Sequence, residues 1–122
     1  MSILDTIKKM IGICDDSFDT DLKVCINTAL ISLIQIGVGP QEGFVVIDED
    51  QTFEEFCGSN LQLESVKMYV YLKSKLMFDP PNNSNITQTF EKTIQEIEWR
   101  LNRSVETNNL TYSDLEEGDT SE

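Results

Sequence analysis

Hydrophobic residues recur every three or four positions through most of the chain, which is the period of an α-helix. The first such run extends from Ile3 to Ile11. It follows Ser2, whose side chain can cap a helix N-terminus, and precedes Gly12, a residue type common just after a helix. The pattern therefore predicts a short N-terminal helix that ends at Gly12.

A wider apolar stripe extends from Phe18 to Ile34 and indicates a helix that is largely buried. The acidic segment 14–21 offers carboxylates that can cap this helix and interact favourably with its N-terminus. These residues are Asp15, Asp16, Asp19 and Asp21. The sequence GVGP at 37–40 should end the helix, because glycine suits the position past the last turn and proline cannot continue it.

The period changes between positions 40 and 59, where a short segment rich in β-branched residues precedes a polar, turn-like one. The apolar residues of this segment are Phe44, Val45, Val46 and Ile47. We predict a short strand or hairpin arm, or a loop, that either covers the core or pairs with a neighbouring chain. Thr52 can then cap a single helical turn, 53–56, ahead of Gly58.

Two further helices are predicted on either side of the double proline at 80–81. The third opens at Ser59 or Asn60 and ends near Asp79, because residues before proline avoid the helical region. The fourth is capped by Ser84, and its apolar residues form one stripe over about five turns. The stripe consists of Ile86, Phe90, Ile94, Ile97 and Leu101.

Trp99, the single tryptophan, does not belong to that stripe. At about 100° per residue it lies about 200° from Ile97, on the other side of the helix. It either packs against another helix of the same chain or contacts a neighbouring subunit. Aromatic residues beside arginines, here Arg100 and Arg103, are typical of protein interfaces.

The C-terminal segment, 104–122, carries six acidic residues and no basic one. Its apolar candidates for contact with a partner are Leu110, Tyr112 and Leu115. Because this is too little apolar surface to offset the entropy of ordering, we expect the segment to be disordered in the isolated chain, and either inert or folded on a partner. The chain is thus predicted to be mainly α: a bundle of about four helices, 1–103, with a short β-like hairpin or loop between the second and third helices, then a flexible acidic tail.

The net charge of the chain is −13, from 22 acidic and 9 basic residues, with no histidine. Such a chain lacks the cations that neutralise phosphate, which disfavours tight binding to nucleic acid. Without histidine, Ser-His and Cys-His catalysis are excluded. We therefore expect neither an enzyme nor a bound cofactor.

Metal, disulfide and membrane signals are weak. The residues DEDQTFEEF at 48–56 resemble half a calcium-binding loop, but Phe53 and Ser59 stand where its glycine and closing glutamate belong. The three cysteines share no metal-binding spacing and should be reduced. The longest apolar run is shorter than the ~20 residues that span a bilayer. The N-terminus does not resemble a signal peptide, so we expect synthesis in the cytoplasm.

Three segments, in order, resemble the head-tail connector proteins of tailed phages, which are adaptor or head-completion proteins. They are FDTDLKVCINTALISLIQIGVGPQEGF at 18–44, LESVKMYVYLKSKLMFDPP at 63–81 and IQEIEWRLN at 94–102. The likeness extends over about residues 1–103, and its order and spacing are more specific than any single piece. One departure is Phe53, where such proteins often carry tryptophan.

The resemblance implies a helical bundle that assembles into a ring, dodecameric in such connectors, at the head-tail junction of the virion. The implied partners are the portal protein, neighbouring copies of the chain, and a downstream stopper or tail protein. DNA would pass through the channel without specific binding, which suits an acidic surface. Trp99 and Arg100 would then contact neighbouring subunits, the loop at 44–47 would face the next component, and the segment after Arg103 would order on the portal or an adjacent protomer.

An acidic protein that mimics DNA and sequesters a nucleic-acid-binding partner is the main alternative, because there the charge itself is the function. Salt distinguishes the two classes. The complex of a mimic should weaken steeply as salt rises, whereas a ring held by apolar helix faces should persist.

Overall fold

The computed structural model describes residues 2–58 and 62–121, with side chains described through Val105. Five helices lie within those ranges: α1 (Ile3–Ile11), α2 (Asp19–Gln35), α3 (Phe53–Cys57), α4 (Leu63–Phe78) and α5 (Ser84–Ser121). The prediction of a small, mainly helical bundle is confirmed, and α3 is the single turn predicted after Thr52.

Helix α4 is the centre of the bundle and packs against all four other helices. Its residues Val66, Tyr69 and Val70 are fully buried. The other helices cover them with apolar side chains, chiefly Ile3, Leu4, Ile7, Leu22, Ile26, Leu30, Leu33, Phe53, Phe56, Ile94, Ile97 and Leu101. A single core therefore runs through the bundle.

Helix α1 begins and ends where the sequence predicts. The Ser2 side chain accepts a hydrogen bond from the backbone N–H of Asp5 at 3.0 Å. At the other end Gly12 adopts a left-handed conformation, with φ of 96°, and its N–H donates to the Lys8 carbonyl at 2.9 Å. The helix is tied to the loop before α3, because the N–H of Ile3 donates to the Gln51 carbonyl at 2.8 Å.

The prediction that an acidic residue caps α2 is wrong. Phe18 is the N-cap residue, and no side chain caps the helix. The carboxylates of Asp16 and Asp19 instead lie 3.0 and 2.8 Å from the ammonium of Lys8 on α1. An ammonium carries a full positive charge and a backbone N–H only a partial one, which explains the preference for Lys8.

The segment 40–52 is a loop, which was one of the predicted alternatives, and the strand or hairpin arm does not form there. Val46 is buried there, and the Asn27 side chain on α2 bonds both its backbone groups: the N–H of Val46 donates at 2.7 Å and its carbonyl accepts at 3.1 Å. This amide supplies the two bonds that a neighbouring strand would supply. Among the described residues, β pairing is limited to an isolated bridge between Ser2 and Thr52.

Helix α4 begins at Leu63, and the predicted start at Ser59 or Asn60 falls on residues outside the described ranges. It ends at Phe78, directly before Asp79, as the double proline predicts. The chain then turns back into α5.

Two details of α5 differ from the prediction. The cap is Asn83 rather than Ser84, since the Asn83 side chain accepts from the N–H of Asn85 at 2.8 Å. Ile86 is exposed and Phe90 is half-buried, so the core stripe is fully buried only from Ile94 onward.

The backbone of α5 is helical through Ser121, past the predicted domain boundary at 103. The expectation that 104–122 order only on a partner stays a prediction. The side chains of Leu110, Tyr112 and Leu115 lie outside those that the structure describes.

Gly39 holds the turn after α2 against the ring of Phe56. Its φ is 97°, and a Cβ added to it would lie 2.7 Å from Cε1 and 2.9 Å from Cε2 of that ring. Phe44 packs edge-on against Phe56 from a ring-centroid distance of 5.3 Å. The ring is thus confined, and the glycine is required for two reasons, its backbone conformation and its lack of a side chain.

Substitution of Gly39→Ala should reduce the free energy of unfolding by about 2–4 kcal/mol, combining backbone strain with overpacking. Gly43→Ala is the matched control, because Gly43 has φ of 114° and nothing within 4 Å of an added Cβ. The control should lose only about 1 kcal/mol, from backbone strain alone. Urea denaturation of both variants measures the difference, and equal losses would contradict the proposed contact with Phe56.

Candidate interaction surfaces

The outer side of α5 presents an exposed aromatic residue among charges. Trp99 is 62% exposed, on the side of the helix opposite the buried Ile97. The guanidinium carbon of Arg103 lies 5.2 Å from the centroid of the indole, which is a cation–π contact. Arg100 pairs with Glu96 one turn earlier. We call these four residues the Trp99 face.

The exposure of Trp99 distinguishes the two contacts that the sequence allowed for it. Within the described part of the chain the indole is not covered by another helix, since most of its surface is open to solvent. Packing inside the subunit is therefore not what the structure shows. Contact with a neighbouring subunit stays a prediction.

A part-buried hydrogen bond restrains the rotation of α5 and thereby the direction of the Trp99 face. The hydroxyl of Tyr69 on α4 donates to Oε2 of Glu98 at 2.7 Å. Burial and the neighbouring Glu98 carboxylate raise the pKa of Tyr69, which therefore remains a donor at neutral pH. With Glu98 held against α4, the next residue is turned about 100° further round the helix, away from the core. Sequence reasoning missed this pair, which only tertiary packing brings together.

The loop at 44–47 forms a second surface. Phe44 and Val46 point into the protein, while Val45 and Ile47 are exposed. The N–H of Ile47 donates to the Gln51 side chain at 2.8 Å, and its carbonyl accepts from Lys23 at 3.1 Å. These bonds and the Asn27 clamp hold the loop on α2, so two aliphatic side chains are presented from a fixed backbone.

The predicted interface residues thus occupy separate places. Trp99, Arg100 and Arg103 share one face of α5, whereas the loop at 44–47 is anchored to α2. The structure does not bring these two sets together. Asn27 is a further residue that sequence reasoning overlooked, and its signal in the sequence is a polar side chain beside the buried stripe of α2.

Three carboxylates lie close together near the start of α2, and two of them pair with a lysine of the same chain. Carboxylate oxygens of Asp16, Asp19 and Glu49 lie within 4.8 Å of one another, a spacing that a metal ion could bridge. The buried ammonium of Lys8 already pairs with Asp16 and Asp19, and these bonds raise the pKa of Lys8. The cluster is therefore explained as an ionic clamp between α1 and α2.

The thiol of Cys57 is structural in character. Cys57 is the last residue of α3 and is buried, and burial raises the pKa of its thiol to about 11, so it is protonated at neutral pH.

These features define a structural class: an acidic helical domain with a rigid core and two presented surfaces. The profile of the family described as "Phage connector protein" matches residues 3–108. The match covers most of the chain, which therefore belongs to the phage connector family, a family of structural phage proteins. No curated protein and no solved structure matches the chain.

In the described ranges, every helix is too short or too polar to cross a membrane.

From the Tyr69–Glu98 hydrogen bond we predict that Tyr69→Phe destabilises the fold. Removing the hydroxyl leaves a part-buried carboxylate without its donor, so the free energy of unfolding should fall by about 1–2 kcal/mol. Tyr71→Phe is the matched control, because Tyr71 is half-buried on the same helix and its hydroxyl has no hydrogen-bond partner among the described residues. Thermal or urea unfolding measures both variants. If Tyr69→Phe left the free energy of unfolding unchanged, the Tyr69–Glu98 bond would not be what holds the rotation of α5.

The clamp at Lys8 predicts that Lys8→Met destabilises the fold at pH 7 by about 2 kcal/mol, since two carboxylates lose their cation. Lys9→Met, at the exposed neighbouring position, should change little. Because folding raises the pKa of Lys8, its contribution is fully present below the ordinary value of about 10.4 and is lost as pH rises through the raised one. Urea denaturation at several pH values measures this, and a Lys8→Met effect no larger than that of Lys9→Met would contradict it.

Proposed function

We propose that this chain forms a ring with copies of itself at the head-tail junction of a phage, between the portal protein and a downstream stopper or tail protein. Membership in the connector family supports a role in joining head to tail. The observation that carries the proposal of a ring is the exposure of Trp99 at 62%, on the outer face of a helix whose other side closes the core.

Burial of the Trp99 indole would supply much of the free energy of the subunit contact. A tryptophan that is mostly exposed in the subunit gains about 2–3 kcal/mol when a neighbour covers it, and tryptophan and arginine dominate the energetics of interfaces. The cation–π contact with Arg103 restrains the ring before binding. Such restraint lowers the entropy cost of docking.

The charge of the chain suits a channel through which DNA passes without specific binding. Besides the excess of acidic residues, four of the nine basic residues are engaged by carboxylates within the subunit. They are Lys8, Lys67, Lys75 and Arg100. Few cations are thus available to hold phosphates, and the negative potential favours passage over retention.

Two further contacts belong to this proposal. The loop at 44–47, with Val45 and Ile47 exposed, faces the next component of the connector. The segment 104–122, through Leu110, Tyr112 and Leu115, orders on the portal or on an adjacent protomer. In this role the chain is a structural part of the virion and performs no catalysis.

Trp99→Ala should abolish or strongly weaken the ring, because it removes the central apolar contact. Native mass spectrometry of the purified chain, alone and with a portal protein, measures the assembled mass. Ile31→Ala is the control, since Ile31 is 52% exposed on α2 and lies outside both presented surfaces. An unchanged ring mass in Trp99→Ala would overturn the assignment of this face.

Salt tests the proposal against the DNA-mimic alternative. A ring held by apolar contacts should persist from about 0.1 to 1 M salt, where the Debye length falls from about 10 to 3 Å. Dissociation over that range, together with binding to a basic nucleic-acid-binding protein at low salt, would favour the mimic. A chain that stays monomeric under all conditions and has no affinity for a portal would refute the connector proposal.

A further inference from the structure

The Trp99 face has a complementary surface elsewhere on the subunit. Where the connection between α1 and α2 meets the end of α4, there is an open cleft of about 610 Å³. Its apolar wall is formed by Ile13, Phe18, Cys25, Met77 and Phe78. Clefts of roughly 300–1,000 Å³ accommodate small molecules, so this one is large enough for an indole.

The wall of this cleft is incompletely covered in the subunit. Phe18 is 48% exposed and Met77 is 43% exposed. Phe18 meets the ring of Phe78 edge-on at a centroid distance of 5.5 Å. Two aromatic rings and two sulfur-containing side chains are favourable surroundings for another aromatic group.

Charge decides which group the cleft fits. Its lining includes the carboxylates of Asp21 and Asp79 and no basic residue. One oxygen of Asp79 binds Lys75 at 2.7 Å, and a carboxylate can accept further bonds. On the Trp99 face the guanidinium of Arg103 lies over the indole, while Arg100 is already paired with Glu96, so Arg103 supplies the opposite charge beside the aromatic ring.

A second groove, between α4 and α5, fits less well. It is lined by apolar residues and by Glu91 and Glu98, but Lys73 also lines it, and an ammonium there opposes an incoming guanidinium. The lining of the cleft beside Phe18 contains no cation. Lys75 pairs with Asp79 there, whereas Asp21 forms no salt bridge among the described residues. The cleft beside Phe18 is therefore the better match for the Trp99 face.

We propose that Trp99 of one copy docks into the cleft between Phe18 and Met77 of the next copy, with Arg103 directed toward Asp21. This inference rests on the proposed ring and names both halves of its interface. The two surfaces share no residue, and the Trp99 face points away from α4, whereas the cleft lies between the end of α4 and the first turns of α2. The contact is therefore heterologous, the type of interface that closes into a ring.

Mixing two variants tests the pairing. Met77→Arg places a cation in the cleft and leaves the Trp99 face intact, whereas Trp99→Ala leaves the cleft intact. Each variant alone should be monomeric by native mass spectrometry. An equal mixture should give a one-to-one dimer and nothing larger, because only one functional interface can form.

Met68→Arg is the matched control, since Met68 is a 41% exposed methionine on the same helix that does not line the cleft. It should assemble like the unsubstituted chain. Thermal unfolding establishes that each variant folds. If Met77→Arg does not fold, Phe18→Ala takes its place in the mixture.

The single tryptophan provides a direct readout. In the mixture, only the Met77→Arg chain carries Trp99, and its fluorescence should shift to shorter wavelength when the tryptophan-free chain is added. Chains carrying both substitutions should cause no shift. A missing shift with Trp99→Ala chains would overturn the pairing.

The outcomes separate this inference from the proposed function. If Met77→Arg alone still assembles while Trp99→Ala does not, the ring stands and the cleft is refuted as its partner surface. If two monomeric variants give no dimer on mixing, the pairing is likewise refuted. If the unsubstituted chain forms no ring, both proposals fail.

Discussion

Helix α4 is in contact with every other helix of the bundle, and its burial determines where each of them can lie. Val66, Tyr69 and Val70 are covered on all sides, so α2 and α5 must each present an apolar stripe to it. Each Å² of apolar surface that these helices bury against α4 contributes roughly 25 cal/mol to the free energy of folding. The double proline then ends α4 abruptly and returns the chain along it as α5.

The surfaces are consequences of that packing. Once Ile94, Ile97 and Leu101 are committed to the core, the opposite side of α5 must face outward, and Trp99 lies there. The bond from Tyr69 to Glu98 adds a polar restraint on the same rotation. The exposed surfaces of the subunit are therefore those that the core leaves uncovered.

Local signals in the sequence were most accurate where a few neighbouring residues decide the structure. Ser2 and Gly12 bound α1 because capping involves groups only three or four positions apart. Thr52 likewise opens α3 with a complete capping box to Glu55. The capping prediction failed where distant groups compete, because Asp16 and Asp19 bind Lys8 rather than cap α2. The choice between strand and loop at 44–47 was likewise decided at a distance, by the Asn27 side chain on Val46.

The sequence by itself determined the helical class, the order of the helices and the side of α5 that carries Ile94, Ile97 and Leu101 into the core, because hydrophobic periodicity records which face of a helix is covered. It placed Trp99 off that stripe, and the tertiary structure decided that the indole is exposed. It also carried the likeness to connectors, which the family match over 3–108 confirms. Only the tertiary structure decided that the loop at 44–47 is clamped to α2 and that Phe18 and Met77 share a cleft. Those contacts join residues far apart in the chain, and no local pattern encodes them.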